Sequence, residues 1–182
     1  MGYRCRWIAM APKMAAPALA KLKLERGAQA EEPIYDPGLY AVALPTGWFV
    51  VFADGSEHMS RLQERDAADL SSDGDALFFY CDDTPMCTRL ALYSGGTAVW
   101  ALEHDGSVAG SAMQTTGSVP DRAMALLREA RVAQAAEDPG DEWPVDHLYD
   151  VTATFALEYI GFRHDVTLTE DDFPQTWELN EA

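Results

Sequence analysis

Between Asp75 and Ser107 three apolar runs, DALFFYCD, TRLALYSG and TAVWALEH, follow one another with almost nothing between them. The chain turns at DTPM, at Gly95-Gly96 and at Asp105-Gly106. Connections this short join antiparallel neighbours only, because a parallel pair needs a crossover of about a dozen residues. Gly-Gly and Asp-Gly reach positive φ cheaply, which tight hairpin turns demand. The segment GSAMQTTG supplies a weaker return arm after Asp105-Gly106. LYAVALP and GWFVVFADG, separated at Pro45-Thr46-Gly47, form a further hairpin. Near the start, YRCRWIAM alternates Tyr3, Cys5, Trp7 and Ala9 against Arg4, Arg6 and Ile8, the pattern of a strand with one buried face.

Helical spacing appears in four places. After Pro12 the segment APALAKLKL places Leu19 and Leu22 with Ala15 or Ala18, and Gly27 is the expected stop. Ser60 followed by Gln63 has the capping-box spacing and opens RLQERDAADL, which closes near Ser71-Ser72-Asp73-Gly74. PDRAMALLREARVAQAAED begins with a proline and an acid at the positive end of the helix and ends at Pro139-Gly140. VTATFALEYI runs between Asp150, a candidate N-cap, and Gly161, a candidate left-handed terminator. The expected fold class is therefore α+β: a largely antiparallel sheet of about six strands with helices packed on one face. The expected domain organisation is one unit over residues 1–182, with an acidic tail from about 166 in which Phe173 and Trp177 pin the chain to the body.

Charge separates function classes. The chain carries 13 Lys and Arg against 30 Asp and Glu, a net −17. The basic residues gather at the start, where every lysine lies, and the region after residue 131 keeps one base, Arg163. Such a balance repels nucleic acid and anionic membranes and favours a basic partner. No apolar run approaches the ~18 residues that a spanning helix needs. The opening segment has early arginine and late alanine, but Pro12, Lys13 and Pro17 interrupt its apolar centre, so it reads as part of the fold and the expected location is the cytoplasm.

Candidate chemistry is sparse. His104-Asp105 ends a strand and enters a turn, while His164-Asp165 follows a helix-terminating glycine. A metal-dependent hydrolase would converge several more ligands on such a pair. Turn and cap are the expected roles. There is no G-x-S-x-G elbow, and Ser94-Gly95-Gly96-Thr97 precedes a strand where phosphate binding needs a helix. Cys81 looks like a half-buried strand residue with no source for a lowered thiol pKa. Cys81 and Cys87 flank DDTPM and could face one another across the hairpin, as reduced thiols in a cytosolic setting. With no zinc-type spacing, neither a metal nor a cofactor is expected, and no catalytic residue is assigned.

The acidic clusters Asp82-Asp83 and Glu137-Asp138 with Asp141-Glu142, joined by Trp143 and Asp146, make the candidate partner-binding set. An aromatic among carboxylates is suited to anchoring a cationic protein. Three segments, YRCRWIAM, LPTGWFVVFADG with GTAVWALEHDG, and YDVTATFALEYIGFRHD, resemble a group of small acidic bacterial proteins. Some of that group are immunity proteins encoded beside secreted toxins. The resemblance implies a non-enzymatic protein that occludes a basic toxin domain, and it carries no site residues. The alternative expectation is an enzyme or small-ligand binder with a pocket between sheet and helices, to which His104, Asp105 or His164 contribute.

Overall fold

The computed structural model describes residues 3–29, 37–108, 112–137, 145–166 and 175–182. Strands β1 (Arg4–Met10), β2 (Leu24–Gln29), β3 (Leu39–Ala43), β4 (Phe49–Asp54), β5 (Ala76–Asp82), β6 (Cys87–Ser94), β7 (Thr97–Asp105), β8 (Gln114–Gly117) and β9 (Gln175–Glu181) form one sheet. Their order is β2-β9-β3-β4-β1-β5-β6-β7-β8, and the strand pairs are antiparallel. The α+β class and the hairpins expected at Gly47, Gly95-Gly96 and Asp105-Gly106 are present. The sheet has nine strands, where about six are legible from local pattern.

Four α-helices accompany it: α1 (Ala15–Leu22), α2 (Glu64–Leu70), α3 (Asp121–Ala136) and α4 (Val151–Ile160). They do not share one face. Cys5, Trp7 and Ala9 of β1 join one apolar cluster with Ala123 and Leu127 of α3 and with Val151, Phe155 and Ile160 of α4. Ile8 and Met10 join a second cluster with Ala15, Ala18 and Leu19 of α1 and Ala67 and Leu70 of α2. Successive side chains of a strand point to opposite faces, so α1 and α2 cover one side of the sheet and α3 and α4 the other. The one-faced expectation fails because the second half of β1, Trp7–Met10, is buried on both sides. Its arginines, Arg4 and Arg6, disguise a central strand as an amphipathic one.

Three local readings shift. Lys23 adopts the left-handed conformation at φ 56° and ends α1, so Gly27 lies inside β2 instead of stopping a helix. The capping box forms one turn later than the Ser60–Gln63 spacing implies: the Gln63 N–H donates to the Asp66 carboxylate at 2.7 Å, and α2 starts at Glu64. Residues 175–181, expected in an acidic tail, form β9 between β2 and β3, with Trp177 paired to Ala41 and Leu179 to Arg26. Leu179 is buried and the Arg26 guanidinium lies 4.2 Å from the Trp177 ring centroid. That pairing joins positions some 150 residues apart in sequence, and no local pattern encodes it.

Because β9 holds β2 against β3, removing residues 175–182 takes from β2 its partner strand and bares one edge of β3, which stays paired with β4. The expected result is a fall in Tm of about 10 °C or loss of the cooperative transition, measured by circular dichroism. An unchanged Tm would show that β9 is dispensable.

Candidate functional site

Cys5 and Cys81 are direct partners across β1 and β5, as are Trp7 and Phe79 two residues along. All four side chains therefore leave the sheet on the α4 side. The two rings stack at 4.9 Å. The two sulfurs lie 3.3 Å apart, and both cysteines are buried.

A third group reaches them from the far end of α4. Gly161 terminates that helix at φ 81°, and its N–H donates to the Leu157 carbonyl. A Cβ at this position would lie 2.8 Å from Thr46 Cγ2, so glycine is required by space as well as by conformation. The reversed chain drops Phe162 between Trp7 and Phe52, at ring separations of 5.7 and 5.8 Å. Arg163 is held by Asp150, Asp165 and Thr154. Directly after these two anchors His164 faces the sheet, with Nε2 3.3 Å from Cys81 Sγ and its ring against Phe79 and Tyr3. Its Nδ1 is buried and has no hydrogen-bond partner among the described residues. The ligating atoms of Cys5, Cys81 and His164 all lie within 4.8 Å of one another.

A cavity of about 80 Å³ adjoins the cluster, lined in part by Tyr3, Cys81, Asp83, Thr88, Tyr149 and His164. Asp83 accepts the Tyr3 N–H at 2.7 Å and the Tyr149 hydroxyl, and the Thr88 and Thr152 hydroxyls bond each other between β6 and α4. A water's share of liquid volume is roughly 30 Å³. The space fits two or three waters, or an ion with its water; pockets for organic ligands are roughly 300–1,000 Å³.

The electrostatics are unusual for buried thiols. The hydrogen bond from Cys5 pulls the Cys81 thiol down to about 6; burial opposes this, and His164 adds to the fall. Burial, then the hydrogen bond and charge of Cys81, drive the Cys5 thiol well above its ordinary value. Burial lowers the His164 pKa, but the Cys81 hydrogen bond and charge more than offset it, so the net movement is upward. The expectation that Cys81 has no source for a lowered pKa is overturned. Its sources come from β1 and from the segment after α4, remote in sequence. The expected facing of Cys81 and Cys87 also fails: Cys81 pairs with Thr88 and Cys87 with Asp82, and the Cys87 thiol donates to the Asp105 carboxylate instead.

The two His-Asp pairs part ways. Asp105 holds its turn by accepting the Ser107 N–H at 3.0 Å, as expected. His104 is buried, and its Nε2 lies 2.7 Å from Asp146 Oδ2. His164 does not cap α4; it belongs to the cysteine cluster.

Of the expected partner-binding residues, Asp138, Asp141, Glu142 and Trp143 lie outside the described residues. The other four have internal partners. Asp82 accepts from Arg4 at 3.0 Å, Asp83 from Tyr3 and Tyr149, and Glu137 bonds His147. Asp146 accepts from the backbone N–H groups of Leu148 and Tyr149 besides meeting His104. A larger groove of about 610 Å³ runs between α3 and residues 145–154, where Leu126, Ala130 and Val145 supply apolar surface and Glu129, Asp146 and Asp150 supply carboxylates. Sequence reasoning missed both the groove and the cysteine cluster. The visible signal for the latter was the shared period-2 placement of Cys5 with Trp7 and of Cys81 with Phe79.

Comparison with protein-family models, curated proteins and solved structures finds no match.

Titration of thiolate ultraviolet absorbance is expected to show one group with a midpoint near pH 6, assigned to Cys81. His164→Ala should move that midpoint upward, and an unmoved midpoint would exclude the pairing. Asp146→Ala is expected to cost about 2 kcal/mol in urea denaturation, because it leaves the buried His104 nitrogen and two backbone N–H groups without their acceptor. A change below about 0.5 kcal/mol would mark Asp146 as a surface carboxylate.

Proposed function

We propose that the protein is a non-enzymatic, cytoplasmic binding protein of the immunity type, which neutralises a basic toxin domain by covering its active surface. The observation that carries this reading is the net −17 of the chain, together with the exposed Glu129 and Asp150 carboxylates that line the α3 groove. Arg4, Arg61, Arg89, Arg122 and Arg163 are each paired to carboxylates within the chain. Exposed Glu25, Glu57, Asp69, Asp75, Asp121 and Glu178 have no ion-pair partner among the described residues. An uncompensated surface of one sign accelerates encounter with an oppositely charged partner, while affinity comes from apolar surface and desolvated polar contacts.

The groove supplies both kinds of contact. Glu129 and Asp150 are exposed on it, and Leu126, Ala130 and Val145 offer apolar area to the stem of a Lys or Arg. Asp82, Asp83, Glu137 and Asp146 serve better as supports for this surface than as its contacts, since each is engaged internally and only partly exposed, whereas Glu129 and Asp150, though paired to Arg122 and Arg163, are mostly exposed. Residues 138–144 lie between α3 and the groove's other wall in sequence, and Asp138, Asp141, Glu142 and Trp143 stay in the proposed contact set.

The test is the affinity for the purified basic product of the adjacent gene, measured by calorimetry from low to high salt. Binding should weaken steeply with salt. Glu129→Lys should weaken it by about tenfold with little change in Tm, because its partner Arg122 is 3.5 Å away and both side chains are at least half exposed. No binding at low salt would end this reading.

A further inference from the structure

We propose that Cys5, Cys81 and His164 form a zinc-binding site, with the two sulfurs and His164 Nε2 as protein ligands and a water in the adjoining cavity as the fourth. The inference is independent of partner binding and can fail or hold without any toxin present.

Geometry is the first support. Zinc binds thiolate sulfur at about 2.3 Å and imidazole nitrogen at about 2.0–2.1 Å, so a tetrahedron has edges of roughly 3.8 Å between sulfurs and roughly 3.5 Å between sulfur and nitrogen. The observed separations are 3.3 Å for both Cys5–Cys81 and Cys81–His164, with all three atoms inside 4.8 Å. Opening the sulfur pair by about half an ångström makes room for the ion. Each group is carried by an element fixed for other reasons: two paired strands, and a helix terminus anchored by Phe162 and Arg163.

Ligand chemistry is the second support. Two sulfurs and an imidazole select zinc-class ions over magnesium and calcium, which take oxygen ligands. The charge also closes: on binding, the thiol protons leave to solvent, and two thiolates neutralise a divalent ion. A buried site then carries no net charge, the condition a desolvated centre requires. A monovalent copper ion on the same ligands would leave a buried negative charge.

The surroundings are the third. The cavity of about 80 Å³ opens on the Cys81 and His164 side, with the Tyr149 hydroxyl and the Asp83 carboxylate in its wall. Three protein ligands and an adjoining water-sized space make an open coordination position, in contrast to the four protein ligands of closed structural sites. An ion here would tie β1 and β5 to the segment that ends α4.

The experiment strips the full-length protein with chelator under reducing conditions and titrates it with zinc against a chromophoric competitor, and separately with cobalt(II). The expected result is one zinc per chain with Kd below about 1 µM, a thiolate-to-cobalt charge-transfer band, and a Tm rise of roughly 5–10 °C at 100-fold zinc over Kd. His164→Gln and Cys81→Ser should each weaken zinc binding by roughly 100-fold. Should Cys81→Ser fail to fold, His164→Gln, at a half-buried position, carries the comparison. A wild-type protein that binds no zinc, or whose cobalt spectrum lacks the sulfur band, overturns the proposal whatever the variants do. So does a folded His164→Gln protein with unchanged affinity.

Discussion

The structure depends on burying both sides of one strand. β1 is the fifth of nine strands in the sheet, and from Trp7 to Met10 every side chain is inaccessible to solvent. Trp7 stacks on Phe79 beneath α4, while Ile8 and Met10 pack toward α1 and α2. Burial of a large aromatic side chain stabilises by about 2–3 kcal/mol or more, and here that stabilisation is shared with Phe162, the residue that follows the α4 terminator. The helices on each face hold their places because this strand offers an apolar surface to both. A charged residue at Trp7 or Ile8 would open one of the two cores to water.

The cysteine–histidine cluster is a consequence of that packing. β1 pairs with β5 in the register that stacks Trp7 on Phe79, and the same register sets Cys5 opposite Cys81. Phe162 fits into the aromatic layer, and two residues later His164 is delivered to the sulfurs. Gly161 makes this possible, since only a left-handed residue without a Cβ can turn the chain against Thr46. Polar atoms placed this deep strongly perturb one another. The hydrogen bond from Cys5 lowers the Cys81 thiol and His164 adds to the fall, while burial and Cys81 raise the Cys5 thiol and the Cys81 hydrogen bond and charge raise His164.

The acidic composition divides into two populations. Some carboxylates build the body: Asp83, Asp146 and Glu137 bind tyrosine and histidine side chains, and Glu64 holds Arg89 and Tyr93. Others stand exposed with no ion-pair partner among the described residues and contribute to the external field. A single net charge merges these populations, and only the coordinates distinguish them. The same distinction moves the proposed contact surface from Asp82 and Asp83 to the α3 groove.

The sequence by itself determined what local physics controls. Gly-Gly and Asp-Gly turns between apolar runs required antiparallel hairpins, and helix spacing with Pro120 and Gly161 at the boundaries located α3 and α4. Net charge, which needs no geometry, was legible at once. The tertiary structure decided whatever joins remote segments: β2 and β9 pairing from opposite ends of the chain, helices on both faces, and Cys5, Cys81 and His164 meeting at one point. Period-2 alternation says which residues share a face but not which strand lies next to which. Register between distant strands is fixed by the whole core packing at once, and no short window of sequence contains that information.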